Sequence, residues 1–327
     1  MSAPTMLPEI VVLGTGGTIS AVADARGRNG AGLSAGEIVT GAGALDEIAV
    51  IRSGDVRRIP GRAMTPQDMH DIALRVGAEV AAGCSGVVIT HGTDTIEETV
   101  YALALMLDVP VPVVMTGAMR LPADPGHDGG ANLRTAVVAA TRRDLAAFGP
   151  LLAFGDELHL ARWVTKQHTS RPAAFASPET GPAGVVVEGR VLMNAPPADS
   201  DHLGLPDSLG GTRVELVWIY AGADGALIEA AAERADGIVV AGTGGGHTPP
   251  SVAEAIGAVV AGGTPVVVAS RCAAGPTLHD TYGGPGGEAH LRGLGAVHAG
   301  RLPALKARLR LQVALALGRD VREVFPR

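Results

Sequence analysis

Four side chains in this sequence have the types and spacing to move a proton and attack a carbonyl: Thr18, Thr93, Asp94 and Lys166. Thr18 closes the turn Gly14-Thr15-Gly16-Gly17-Thr18, Thr93 and Asp94 sit in the turn His91-Gly92-Thr93-Asp94-Thr95, and Lys166 lies in Trp163-Val164-Thr165-Lys166-Gln167. A hydroxyl attacks a carbonyl poorly unless a base takes its proton. Lys166, partly desolvated, can accept that proton from Thr93, while Asp94 orients or charge-balances the amine. Lysine suits the role because its pKa falls on burial, whereas arginine stays protonated. The chain holds 26 Lys and Arg residues, and only positions 166 and 306 are lysine. A sequence that avoids lysine so strongly marks the lysine it keeps. Backbone N–H groups around Gly92 or Ala118 offer an oxyanion hole.

These groups converge only if the strands that carry them are neighbours. Ile10 to Ser20 reads as a short buried strand breaking into the glycine turn: an unbroken apolar run fits a parallel strand buried on both faces. Residues 86–90 (GVVIT) and 111–116 repeat the scheme, each ending in a polar or Gly-rich turn, and residues 48–53 and 151–154 add further strands. Thr65-Pro66 predicts a helix start, an N-cap followed by Pro, for a helix ending near Ala82. Glu97 and Glu98 favour the first turn of a second helix, and 130–143 reads as a third. Residues 21–34 have no apolar period and read as a mobile loop, a lid over the site. Between 192 and 211 the pattern lapses into NAPPADSDHLGLPDSLGG, so an N-terminal catalytic domain over 1–191, a linker over 192–212 and a C-terminal domain over 213–327 are expected. Strands at 214–220, 237–242 and 264–270 and a last helix at 303–317 follow. The fold class is α/β: a larger N-terminal, doubly wound, mostly parallel sheet and a smaller C-terminal parallel-sheet domain. Met6, Met64, Met69, Met106 and Met115 read as core packing.

Composition narrows the function. At 327 residues and 46% hydrophobic the chain has ample core. No apolar run reaches the roughly 18 residues of a spanning helix, and the N-terminus shows no export signal, so no membrane role is expected. Cys84 and Cys272 have no metal-type spacing, which argues for a reduced, cytoplasmic setting and for no metal. A net charge of −7 without a basic patch argues against nucleic acid. A dinucleotide loop fits poorly, since the turn is GTGGT rather than G-x-G-x-x-G and no acidic residue follows a second strand at the right distance.

The motifs TGGTI (15–19), HGTDT (91–95), GAMR (117–120), DGGANL (128–133) and VTK (164–166) occur in an order and spacing that resemble the bacterial-type L-asparaginases. The resemblance extends to the C-terminal LPALKARLRLQVAL, which holds Lys306. It implies hydrolysis of the side-chain amide of L-asparagine to aspartate and ammonia through a threonine acyl-enzyme. It also implies no cofactor and a homotetramer built as a dimer of intimate dimers. By position Thr18 matches the first nucleophile and Thr93, Asp94 and Lys166 the second catalytic set. Asp94 also matches the group that holds the substrate's α-amino group. Thr15, Gly17, Gly61, Arg62, Gly92, Thr93, Asp94 and Ala118 line the expected substrate site.

Three positions depart from the family pattern. Leu33, in GRNGAGLSAG, stands where a lid tyrosine activates the first threonine. Gly61, in PGRAM, stands where a serine binds the substrate carboxylate, and the adjacent Arg62 can bind a carboxylate bidentately. His247, in GTGGGH, stands where an asparagine reaches across from the neighbouring subunit, and Asp280, Tyr282 and Glu288 compete for the place of a partner-subunit glutamate. These departures leave two alternatives: an amidase with weak or altered specificity for glutamine, D-asparagine or another amide, or a non-catalytic amino-acid binder. A transfer-RNA amidotransferase subunit shares the resemblance but normally carries an additional N-terminal module.

Overall fold

Apolar runs able to fill both faces of a sheet form its middle. The structure, a computed structural model, describes residues 6–24, 26–197 and 199–325. The chain divides into two compact units, one ending at His202 and the other beginning at Leu203.

In the first unit the chain runs through β1 (Glu9–Gly14), a 3-10 turn at Thr18–Ser20, β2 (Ala21–Ala23), β3 (Asn29–Ala31), α1 (Ala35–Gly41) and β4 (Val50–Asp55). It continues with α2 (Pro66–Ala81), β5 (Gly86–Thr90), α3 (Ile96–Met106), β6 (Val113–Thr116), α4 (Gly129–Ala140) and β7 (Leu151–Phe154). Short strands follow: β8 (Glu157–Leu160), β9 (Thr165–Lys166), β10 (Phe175–Ala176), β11 (Gly184–Val187) and β12 (Arg190–Met193). The main sheet has the order β12-β11-β8-β7-β6-β5-β1-β4. Its five strands from β7 to β4 are parallel, and β8, β11 and β12 join antiparallel. Ile10, Val12, Val88 and Val114 share one core with Ile38 of α1 and Leu133 and Val137 of α4. The alternate residues Val11, Leu13, Val87 and Ile89, also fully buried, face the other side of the pleat. There α2 and α3 lie against each other and against β5 and β6.

The sheet is therefore mixed, and the hairpins β7–β8 and β11–β12 were not legible in the sequence. Residues 21–34 differ from the expected irregular loop: β2 and β3 pair as a hairpin. Asp24 closes its turn by accepting the backbone N–H groups of Arg26 and Arg28 at 2.8 and 2.9 Å and the Arg28 guanidinium at 3.1 Å. Met6 is exposed rather than packed in the core, whereas Met69, Met106 and Met115 are buried. Leu192 and Met193, the first residues of the expected linker, end β12.

The second unit comprises β13 (Val214–Trp218), α5 (Ala226–Ala232), β14 (Gly237–Gly242), α6 (Pro250–Ala261), β15 (Val266–Ser270), α7 (Glu288–Gly293), β16 (Val297–His298), α8 (Ala304–Ala316) and α9 (Val321–Val324). Its four strands are all parallel, in the order β13-β14-β15-β16. Val217, Val240 and Val268 pack with Ile228 of α5 and Ile256 of α6, and α8 covers the strands as well. The two-domain α/β architecture expected from the sequence is thus present.

At the carboxyl edge of the larger sheet the turns after β1 and β5 meet backbone to backbone. A Cβ on Gly17 would fall 2.3 Å from Gly92 Cα, and one on Gly92 would fall 2.7 Å from Gly61 Cα. Gly17 also has a positive φ of 87°, a region that side chains avoid. The opposite end of β4 is tied down by charge: Glu79 of α2 receives Arg52 Nη1 at 2.6 Å and Arg75 Nε at 2.7 Å. Burial raises the Glu79 pKa, but the two guanidinium groups outweigh it and the net shift is downward.

Two outcomes follow. Gly17→Ala should destabilise the fold by about 2–4 kcal/mol through strain and overpacking, read as a lowered urea midpoint; an unchanged midpoint would contradict the glycine contact. Because the folded pKa of Glu79 lies below its unfolded value, its contribution is complete above that unfolded value and is lost as pH falls through the folded one. Glu79→Gln should therefore lower stability near neutrality and flatten the acid-side fall, and parallel stability–pH curves would contradict the pairing.

Candidate active site

The contact between Gly17 and Gly92 places the residues that follow each of them, Thr18 and Thr93, on adjoining turns. Thr15 anchors the first turn. Its backbone N–H and its hydroxyl both donate to the Thr90 carbonyl, at 3.0 and 2.9 Å, and its side chain is buried. Thr15 is therefore a latch between β1 and β5. Thr18 begins the 3-10 turn; among the described residues its hydroxyl has no hydrogen-bond partner, and it is half-buried.

The second turn is held from beneath by His91, which is fully buried. His91 Nδ1 lies 2.8 Å from the Gly92 carbonyl and Nε2 lies 3.1 Å from Thr99 Oγ1. A carbonyl only accepts, so the proton sits on Nδ1 and Nε2 faces the Thr99 hydroxyl. Burial lowers the His91 pKa to about 4, the hydrogen bond to Gly92 opposing it weakly. The ring is neutral at physiological pH and acts as a rigid strut. Thr95 Oγ1 donates to the Gly61 carbonyl at 2.8 Å, which draws the third turn in.

Lys166 reaches the same turn from β9, where it pairs with Phe175 of β10. Its amine lies 2.9 Å from Thr93 Oγ1 and 3.2 Å from Asp94 Oδ1. The Lys166 side chain is 17% exposed and that of Asp94 is 56% exposed, so the amine is sheltered while the carboxylate faces outward. Thr93 is buried. The residues named from the sequence as a relay are thus brought within hydrogen-bond distance across 73 positions of chain.

Ala118 is buried beneath the third wall of the site, the turn Gly117–Arg120. That turn is fixed by two side chains of the DGGANL motif. Asp128 accepts the N–H groups of Met119 and Arg120 at 3.0 and 2.9 Å. Asn132, one helical turn on, donates to the Gly117 carbonyl at 3.0 Å and accepts the Gly155 N–H at 3.0 Å. Among the described residues the N–H groups of Gly92, Thr93 and Ala118 have no acceptor, so they remain available to a developing oxyanion. Gly61 is buried, and a side chain there would meet the Gly92 carbonyl carbon and oxygen at 3.1 Å. Arg62 beside it is exposed, and among the described residues its guanidinium has no partner.

In the second unit His247 Nε2 lies 2.9 Å from Glu288 Oε2, and Tyr282 packs edge-on against the imidazole at 5.0 Å. Glu288 is fully buried. Burial raises its pKa, but the N–H groups of Tyr282, Glu288 and Thr281 and the His247 ring hold it net below the usual range. Of the three acidic or phenolic candidates in that stretch, Glu288 partners His247, Tyr282 stacks on it, and Asp280 pairs with Arg292. The struts His91, Asp128 and Asn132 were not assigned roles from the sequence. The signal lay in the motifs themselves: an Asp and an Asn four apart at a helix start share one face. Among the described residues no three His, Cys, Asp or Glu side chains gather so as to hold a metal ion, and no helix is long and apolar enough to cross a membrane.

Residues 9–199 match the family described as Asparaginase, N-terminal, and residues 213–325 match the Glutaminase/Asparaginase C-terminal domain. The chain is 37% identical to a Deinococcus radiodurans protein named "Probable L-asparaginase", over 98% of both chains. It is 33% identical to L-asparaginase 2 of Escherichia coli, over 97% of this chain and 92% of that one. It is also 34% identical to a glutamyl-tRNA(Gln) amidotransferase component of Halobacterium salinarum, over 96% of this chain and 77% of the relative. With both halves of the sequence matched and the sheltered amine set beside two threonine turns, the chain belongs to the asparaginase family and is an asparaginase-type amidohydrolase.

Proposed function

We propose that the chain hydrolyses the side-chain amide of L-asparagine, giving aspartate and ammonia through an acyl-enzyme on Thr18. The observation that carries this reading is the Lys166 amine at 2.9 Å from Thr93 Oγ1, beside the turn that presents Thr18. In the first half-reaction Thr18 Oγ1 attacks the amide carbon and loses its proton. The tetrahedral oxyanion is stabilised by backbone N–H groups of Gly92 or Ala118, and the C–N bond breaks as the nitrogen takes up a proton and leaves as ammonia. In the second, water attacks the ester, Thr93 and Lys166 taking its proton, and Thr18 recovers its hydrogen. Lys166 performs this only as the free amine, with Asp94 aligning it.

Asp94, exposed at the mouth, is suited to the substrate's α-ammonium group. The Arg62 guanidinium is suited to its α-carboxylate, which takes over the task that a serine at position 61 performs in the family pattern. His247, backed by Glu288, supplies the neighbouring subunit's contribution in a homotetramer, a dimer of intimate dimers. The two free thiols, one of them exposed, suit a reducing cytoplasm. One observation favours an altered substrate range: Leu33 occupies the lid where a phenol would activate Thr18, and Thr18 Oγ1 has no partner among the described residues. Under that reading glutamine, D-asparagine or another amide is turned over at least as well as L-asparagine.

Thr18→Ala, Thr93→Val and Lys166→Arg should each lower ammonia release by about 10²–10⁴-fold with the fold intact by circular dichroism. Lys166→Arg is the sharpest of the three, because arginine keeps a long hydrogen-bond donor at the position but stays protonated and cannot accept a proton. Full turnover in that variant would rule out the relay. Arg62→Gln should raise KM for L-asparagine about tenfold or more with little change in kcat, as expected for loss of one charge-assisted contact to a carboxylate. An unchanged KM would remove Arg62 from the site.

A further inference from the structure

The second unit holds a cavity of about 550 Å³ lined by His279, Arg292, His298, Arg322 and Phe325. His298 ends the edge strand β16, opposite Val268 of β15. Only 6% of it is exposed, and neither of its buried ring nitrogens makes a hydrogen bond of good geometry, although the Glu288 backbone lies close enough to act on the ring. Buried polar atoms in native structures are nearly always well paired, so an imidazole without a well-formed hydrogen bond at either nitrogen asks for an explanation. The groups facing it supply one.

His279 lies with its ring centroid 6.0 Å from that of His298. Arg292 Nη1 donates to His279 Nδ1 at 3.0 Å. A guanidinium only donates, so the His279 proton is on Nε2 and that N–H is left over. Arg322 also lines the cavity, and among the described residues its guanidinium has no acceptor. Two carboxylates act nearby. Asp280 is exposed and pairs with the other arm of Arg292, and Glu288 is committed to His247 and to the N–H groups of Thr281 and Tyr282. Among the described residues that line the cavity the charged side chains are thus cationic, and none carries a carboxylate.

We propose that this cavity binds a small oxyanion, a phosphate or carboxylate head group held by Arg292 and Arg322, with His279 and His298 donating ring N–H groups to its oxygens. The unpartnered Arg322 fork can match such oxygens two at a time, Arg292 adding the N–H groups that His279 and Asp280 leave over, and the volume lies within the range of small-ligand sites. Burial, with His279 and Arg292 adding to it and the nearby Glu288 opposing, lowers the His298 pKa to about 4. The ring is therefore neutral when the site is empty and keeps one N–H to donate. Nothing in the site depends on the chemistry proposed for Thr18.

The test is isothermal titration calorimetry of the full-length protein with inorganic phosphate and, separately, with acetate, in chloride buffer near neutral pH. One saturable site per chain is expected for one or both anions; saturation by phosphate alone identifies a phosphate head, and saturation by acetate alone a carboxylate. Arg322→Gln, an exposed position, should weaken binding at least tenfold. His298→Leu should abolish it and, by removing a buried imidazole without a well-formed hydrogen bond, should raise the melting temperature of the anion-free protein. Absence of saturable heat with either anion, or undiminished binding in Arg322→Gln, would overturn the site. Ammonia release stays unchanged in Arg322→Gln if the two sites are independent.

Discussion

Two glycine backbones in contact set everything else in the larger unit. Gly17 has no room for a Cβ against Gly92, nor Gly92 against Gly61, and Gly17 and Gly92 are each followed directly by a threonine. The constraint belongs to the sheet. β1 and β5 are adjacent, parallel and in register to their last residues, Gly14 and Thr90, so their turns emerge side by side at the edge where open α/β sheets bind ligands. Thr15 stitches the two strand ends together, and His91 holds up the second turn from inside. The hydroxyls are positioned by packed backbone, which costs nothing further when substrate arrives.

The amine comes from elsewhere. Lys166 is on a two-residue strand outside the main sheet, yet it reaches Thr93 and Asp94 together. A short strand is a weak local preference, so its position is settled by tertiary packing. Val164 and Phe175 are buried on either side of it, and Phe175 leans on Phe154 at the end of β7 with ring centroids 4.8 Å apart. The sequence around 166 looks like loop, and the proposed chemistry rests on it.

That contrast explains what could be read in advance. Strands β1, β5 and β7 were visible because parallel strands buried on both faces leave unbroken apolar runs. Helix α2 was visible because Thr65 and Pro66 announce it, and its capping box is present. The antiparallel additions β8, β11 and β12 were invisible. Val185, Val186 and Val191 are apolar, but Glu188 at positive φ turns the chain between β11 and β12, as Asp156 does between β7 and β8, and the strands are too short for a period of two to build up. The lid hairpin escaped for a similar reason: Asp24 makes its turn, and a single carboxylate accepting two N–H groups leaves little pattern. Within the site, Thr93, Asp94 and Lys166 stood out through residue type and the rarity of lysine. The struts did not, because His91, Asp128 and Asn132 act through geometry that only the folded chain creates. Thr15 carried the same side chain as its neighbours in the motif, and only its hydrogen bonds to Thr90 distinguish it as a latch.

In the proposed reaction the substrate carbonyl becomes esterified to the hydroxyl on the first of these two turns. Rapid acid quench during turnover of L-asparagine, followed by peptide mass spectrometry, addresses it directly. An aspartyl adduct is expected on the peptide containing Thr18, accumulating in Lys166→Arg if that variant blocks the second half-reaction. An adduct confined to Thr93, or steady ammonia release with no adduct on either threonine, would contradict it.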